Sequence, residues 1–428
     1  MNEHSDDVIA FFTEIAARHP RCFWLDGGGA REWSGRRSMV GWLDDDDLSL
    51  TFHAATREVR RHRGGSVEVV GSDVFDVLEA ELAAGSPDDQ WFGYFGYASR
   101  PDLFPARPDP GLPDAVWMRA PHVRFFDHEL AGDLALGRQG GSAPTLRLAP
   151  MASPERPPND YVEAYARVQE HLHAGNSYEV NLTYRVETAS ELAPLEAYLR
   201  LRAVNPAPYA GFLQHDLAGH RAWLLSSSPE RYALVTEDRV LETKPIKGTT
   251  MRGATPEEDE DARRRLASDP KFRSENLMIV DLLRNDLSMV CEPGSVEVPV
   301  LMDVESYPSV HQLVSTVRGR LTPDVTTVRA LRALFPAGSM TGAPKLRTMQ
   351  VIDEVEATPR GVYAGAFGWL AGDGRADLGV VIRSLMTAGD GSYVLGTGGG
   401  ITVRSDVDEE YAESRWKAER LLAALGDH

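Results

Sequence analysis

The chain has 428 residues, 42% hydrophobic and 25% charged, the balance of a globular protein with a sizeable core. A formal charge of −19 argues against a nucleic-acid or anionic-membrane partner, and no apolar run approaches the roughly 20 residues of a membrane helix. Cys22 and Cys291 alone make neither a disulfide framework nor a four-thiolate zinc site, and the acidic start MNEHSDDVIAFFTEIAARHP lacks a signal peptide's basic head, so a cytoplasmic protein is expected.

In chain order, residues 1–138 read as a mixed α+β region. Phe23–Asp26 runs as a strand into a turn, 48–52 alternates as a strand, and 74–84 has helical spacing. The aromatic and glycine alternation of 90–97 suits a strand packed closely on another backbone. Residues 139–159 are rich in Gly, Ser and Pro and read as a linker or long surface connection. From 160 to 428 the spacing predicts helices at 160–174, 256–268, 272–285, 326–335, 345–356 and 408–425, and strands at 178–186, 210–213, 222–226, 361–370, 376–387 and 392–400. Short turns between strands, with helices interspersed irregularly, argue for an α+β layered fold over a βαβ repeat.

Five segments carry chemistry. In the last helix Glu410, Glu413 and Lys417 share one face, so two carboxylates one turn apart can ligate a hard cation; alone, the same spacing describes a solvated, salt-bridged helix. Glu275 lies on the first turn of the helix at 272–285, whose apolar stripe is read as Leu277, Met278, Val280 and Leu282. Lys247 sits on a corner between Pro245 and Gly248, where partial desolvation would lower its pKa and free a nucleophilic amine; the plain alternative is a surface turn lysine. The glycine-rich turns at 338–345 and 396–401 offer backbone N–H groups to an anion, and neither fits a Walker loop or a Rossmann fingerprint.

In this order these segments resemble the chorismate-utilising enzymes: GNSYEVNLTYR (175–185), NPAPYAGFL (205–213), SSSPERY (226–232), ETKPIKGT (242–249), SENLMIVDLLRNDL (274–287), QLVSTVRGRL (312–321), GSMTGAPK (338–345), GVYAGAFGW (361–369), GVVIRSL (379–385) and GTGGGI…DEEYAESRWKA (396–418). The match spans the region after the linker. The resemblance implies two orthogonally packed antiparallel sheets flanked by helices, with chorismate and Mg²⁺ between them. Glu275, Glu410 and Glu413 would hold Mg²⁺ against the ring carboxylate. Lys417 and the backbone around Gly398 and Gly400 would complete that carboxylate site. Arg383, with Tyr363 nearby, would hold the enolpyruvyl carboxylate, Glu230 would be the general acid for the departing hydroxyl, and Thr341 and Glu242 would line the pocket.

Lys247 decides the branch. Anthranilate synthases read PIAG there, whereas the aminodeoxychorismate synthases read PIKG, as this chain does. The resemblance then implies that Lys247 attacks the ring carbon ortho to the carboxylate, and that ammonia next enters at the para carbon and expels the lysine. Two positions depart from relatives. Glu179 stands where isochorismate synthases carry a water-activating lysine, though a glutamate can itself act as a base. Gln312 stands where anthranilate-forming relatives carry a histidine, and His311, one residue away on a strand, would point to the other face. Neither cysteine lies in a glutaminase nucleophile turn, and the resemblance implies a separate glutamine amidotransferase subunit that supplies ammonia. The rival readings are an ortho-acting relative (anthranilate, 2-amino-2-deoxyisochorismate or isochorismate synthase) and a non-catalytic chorismate sensor.

Overall fold

The computed structural model describes residues 3–27, 37–100, 102–103, 107, 111–128, 156–307 and 310–426. Residues 139–155 of the expected linker lie outside these. The described strands form two antiparallel sheets, flanked by nine α-helices among the described residues. The nine-stranded sheet runs Gly342–Ala343, Glu179–Ala189, Ser392–Ile401, Ser384–Thr387, Ala222–Ser228, Tyr209–His215, Arg21–Asp26, Arg37–Leu43, His122–Asp127. The twelve-stranded sheet runs from Ile246–Met251 through Val310–Arg320, Val240–Lys244, Arg231–Val235, Ala376–Val380, Ala366–Ala371, Gln90–Phe95 and Ala115–Arg119 to Ser49–His53, Glu58–Arg63 and Ser66–Gly71, with Glu297–Ser306 also paired to Val310–Arg320. This is the α+β layered fold expected from the sequence.

Strands from both ends of the chain are woven into both sheets. Arg21–Asp26 pairs with Tyr209–His215, and Gln90–Phe95 with Ala366–Ala371. The main core fills the space between the sheets: Phe23 of one stacks on Phe92 of the other at 3.7 Å, a contact of about 0.5–1.5 kcal/mol beyond the area it buries. A second core lies on the outer face of the nine-stranded sheet. There Val8 and Phe12 of Glu3–Arg18, Tyr198 and Leu201 of Pro194–Val204, and Leu421 of Val407–Leu425 pack together. No helix among the described residues is long and apolar enough to cross a membrane.

Helix Pro256–Ser268 has the expected bounds, because Thr255 and Glu258 form a reciprocal capping box. The stretch 376–387 behaves differently from the single strand its alternation predicts. It breaks into Ala376–Val380, in the larger sheet, and Ser384–Thr387, in the smaller, with Arg383 at φ 51° in the corner. A second crossing occurs at Pro229–Glu230, between Ala222–Ser228 and Arg231–Val235. The Val380 amide donates to the Glu230 carbonyl (2.9 Å) and the Ser227 amide to the Arg383 carbonyl (3.1 Å), so the two corners brace each other. The apolar stripe of the helix Pro270–Ser288 also needs correcting. Leu277 is exposed, and the buried face runs Glu275, Asn276, Ile279, Val280, Leu282, Leu283, Asp286, Leu287, the i, i+3, i+4 set that meets Val310–Arg320.

Candidate active site

The two crossings open into a cleft of about 950 Å³, counting space open to solvent. It gathers ten of the expected residues: Lys247, Glu230, Glu275, Glu410, Glu413, Lys417, Arg383, Tyr363, Gly398 and Gly400. Glu242 and Thr341 are not on its wall. The Glu242 carboxylate is bonded to the buried Arg231 guanidinium, while the fully buried Thr341 donates its hydroxyl to the Gly338 carbonyl (3.2 Å), one layer behind Met340.

Lys247 follows Pro245 at the start of Ile246–Met251. The register against Val310–Arg320 slips between Ile246 and Thr249, and such a bulge re-aims a side chain. Gly248 has φ 87°, and a Cβ there would lie 2.7 Å from the Phe272 ring, so both the backbone and the space demand glycine. Lys247 is only 8% exposed and bonds to the Glu179 carboxylate. The expectation of a lowered amine pKa is overturned. Burial does lower it, yet the carboxylates of Glu179, Glu275 and Glu230 together outweigh burial and hold the ammonium above the ordinary lysine range.

Glu230 is buried in its corner and accepts the Ser339 hydroxyl at 2.6 Å. Burial pushes its carboxyl up to about 7, against the pull of Ser339, Lys247 and the Ile246 amide. Glu275 reaches about 7 as well, driven first by burial and opposed by Lys247, and its Oε1 is buried with no hydrogen-bond partner. The other two expected metal ligands are held by lysines: Lys271 Nζ lies 2.7 Å from Glu410 Oε1, and Lys417 Nζ 2.8 Å from Glu413 Oε1. Lys417 holds Glu413 below the ordinary carboxylate range and also donates to the Gly398 carbonyl at 3.0 Å. An orphaned buried carboxylate oxygen beside two acids neutralised by lysines fits a site for a hard divalent cation. A separate group, Asp44, Asp47 and His122, brings ligand atoms within 4.8 Å of one another, and none of the three lines the cleft.

At the other end, burial and then repulsion from Arg420 lower the Arg383 guanidinium to about 10, as expected of a cation short of counter-charge. It lies 5.3 Å over the Trp416 ring. Tyr363 is buried beside it.

Several wall residues were not singled out from the sequence. Asn181 lies two residues beyond Glu179 on one strand, and that period of two was the available signal. Lys271 precedes Glu275 by one helical turn. Gln312, which the sequence did mark as a departure from relatives, lines the cleft with its Oε1 buried and unpartnered, whereas His311 faces away and bonds to Asp259 at 3.0 Å. Nothing in the sequence distinguished Ser339 as the partner of Glu230.

Residues 21–423 match the family model described as chorismate binding enzyme. The chain is 42% identical to an aminodeoxychorismate synthase of Streptomyces pristinaespiralis, over 98% of this chain and 64% of that one. It therefore spans about two thirds of that relative's length. It is 43% identical to an aminodeoxychorismate synthase component 1 of Klebsiella aerogenes, over 98% of this chain and 97% of that one. Among solved structures, anthranilate synthase component I of Streptococcus pneumoniae superposes with a TM-score of 0.72 at 27% identity, covering 90% of this chain and 92% of that one. With this fold, this cleft and a family match over nearly its whole length, the chain belongs to the chorismate binding enzyme family.

Proposed function

We propose that this chain is an aminodeoxychorismate synthase subunit that converts chorismate and ammonia to 4-amino-4-deoxychorismate, with Lys247 as nucleophile and Glu230 as general acid. The observation that carries the reading is the company Lys247 keeps. A buried amine shares one cleft with a carboxyl titrating near 7, three glutamates and an arginine short of counter-charge. Chorismate is a dianion, so an acidic protein must supply positive charge where it binds. Arg383 meets the enolpyruvyl carboxylate; Lys417 and the backbone at Gly398 and Gly400 meet the ring carboxylate.

Glu275, Glu410 and Glu413 would hold Mg²⁺, which would supply positive charge at the ring carboxylate. Lys271 and Lys417 neutralise two of these acids without it. Hydroxide is a poor leaving group, and Glu230, kept partly protonated near neutral pH by burial, donates the proton that lets it depart as water. Lys247 bonds to the ring carbon ortho to the carboxylate, the double bonds shift, and the para C–O bond breaks. Ammonia then adds at the para carbon and the lysine leaves. A glutamine amidotransferase subunit supplies the ammonia, in keeping with the words "component 1" in the name of the Klebsiella relative.

The test is intact-mass analysis of the enzyme with chorismate and Mg²⁺ but no ammonia, followed by product analysis with an ammonium salt at alkaline pH. A chorismate-derived adduct on Lys247 and a para-amino product are expected. Anthranilate or isochorismate as product, from an enzyme that carries no adduct, would refute the reading.

A further inference from the structure

We infer that Glu179 is the base and acid for the Lys247 amine: it takes a proton from the ammonium before the attack on the ring and returns it when the lysine is expelled. The inference rests on the reading of Lys247 as nucleophile.

The geometry is built for one proton shared between two side chains. Glu179 opens the strand Glu179–Ala189, is 1% exposed, and is not on the cleft wall; its access to the cleft is through Lys247. One carboxylate oxygen bonds to Lys247 Nζ, and the other, Oε2, is buried with no partner. The neighbouring strand makes room for the pair at Gly400, where a Cβ would lie 2.1 Å from Glu179 Oε1 and 3.2 Å from Lys247 Nζ. In water a lysine is more basic than a glutamate by about six pKa units, so the proton stays on nitrogen. Moving the proton along the hydrogen bond turns two buried charges into two neutral groups, which removes the burial penalty on both.

Other charges face this amine. Glu275, from the helix Pro270–Ser288, and Glu230, from the sheet crossing, add to Glu179 in holding it protonated, while Glu413 and Lys271 lie further along the same wall. The strand Ser392–Ile401 brings glycine against the pair, and Gly342–Ala343 brings backbone. Protonation of Glu230 and cation binding at Glu275 each remove one stabilising charge. Glu179 is then the carboxylate in contact with the amine.

The protons balance around the cycle. An N–H bond of the ammonium breaks and its proton goes to Glu179, leaving a neutral amine and a neutral acid. The amine forms the C–N bond, the para C–O bond breaks, and Glu230 gives its proton to the departing oxygen as water. When ammonia displaces the lysine, the amine leaves neutral and takes its proton back from Glu179. The new ring ammonium gives one proton to Glu230. Both glutamates finish as they began, and the sum is chorismate plus ammonia to aminochorismate plus water.

Glu179→Gln keeps the shape and a hydrogen bond but cannot carry the proton. Wild type and variant are compared in chorismate turnover with ammonium from about pH 7 to about pH 10, with chorismate binding followed by fluorescence. Taking the ratio of the two rates cancels the titration of Glu230. The wild-type advantage is expected to be about 100-fold near pH 7 and to shrink about tenfold per pH unit, as solvent base takes over, with chorismate affinity unchanged. A ratio near one throughout, or a loss equal at every pH, overturns the inference. If the glutamine variant does not fold, Glu179→Asp replaces it, expected to keep the wild-type pH profile at about a tenth of the rate; a changed profile overturns the inference. Adduct formation without ammonia separates the two readings. An adduct formed as fast in Glu179→Gln as in wild type refutes the role of Glu179 alone, and no adduct in wild type refutes both.

Discussion

The Ser339 hydroxyl donates to Glu230 Oε1 at 2.6 Å, tying the short turn Gly338–Met340 to the corner where the chain passes from one sheet to the other. The bond favours the charged carboxylate, and burial overrides it, leaving the carboxyl near 7. With Glu230 as the proposed general acid the protonated form is the working one, so turnover should fall as pH rises through about 7. Ser339→Ala removes one of the groups pulling this pKa down, so its pH–rate profile should fall at higher pH than wild type. Glu230→Gln should cost about 10²–10⁴-fold in turnover. The same shift has a stability sign. A carboxyl raised on folding contributes stability below its unfolded pKa and loses it as pH rises to about 7. Glu230→Gln should therefore be more stable than wild type above that pH, by up to about 3 kcal/mol in urea unfolding.

The metal set makes its own prediction. Mg²⁺ titrated calorimetrically into the protein should bind more weakly below pH 7, because a cation at Glu275 must displace a proton. Glu275→Gln and Glu413→Ala should each weaken binding by about tenfold or more and remove the Mg²⁺ dependence of turnover along with turnover itself. Substantial turnover surviving in Glu413→Ala would take that residue out of the site.

Behind the cleft, Arg360 and Glu356 form a buried ion pair that positions the wall. Arg360 donates to the carbonyls of Met340 (2.6 Å) and Asn181 (2.8 Å), and Glu356 accepts the Thr183 amide and hydroxyl, both at 2.8 Å. Arg360→Met leaves a carboxylate buried without its partner and should cost about 3–5 kcal/mol. The double variant Arg360→Met/Glu356→Met should recover much of that, which a denaturant-based mutant cycle would read.

Gly248→Ala places a Cβ against the Phe272 ring in a left-handed backbone. A loss of about 1–3 kcal/mol is expected, with turnover falling further than stability explains, because the same turn aims Lys247. Unchanged thermal unfolding and unchanged kcat would remove the turn from the account.

Much of this molecule was legible locally. The capping box at Thr255 and Glu258, the helical period of 408–425 and the strand alternation of 392–400 all lie in a few consecutive residues, and their elements stand within a residue or so of expectation. The period of two also put Gln312 and His311 on opposite faces, as observed. Where neighbours in sequence were not the neighbours that mattered, local reading went astray. The stretch 376–387 alternates like one strand but splits at Arg383, because its halves pair with strands of different sheets. Glu242 looked like a pocket residue until Arg231, from the adjoining strand, claimed its carboxylate.

From the sequence alone came the order of elements, the layered fold class and the residue types proposed to do the chemistry, because propensity, capping and alternation act over a few residues. The protonation state of those residues was decided only by tertiary structure. Lys247 was expected to lose its proton through burial; Glu179, 68 positions away, meets it instead and holds the proton in place. Coulomb energy depends on distance through space, and the distance between two such groups exists only once both sheets have formed.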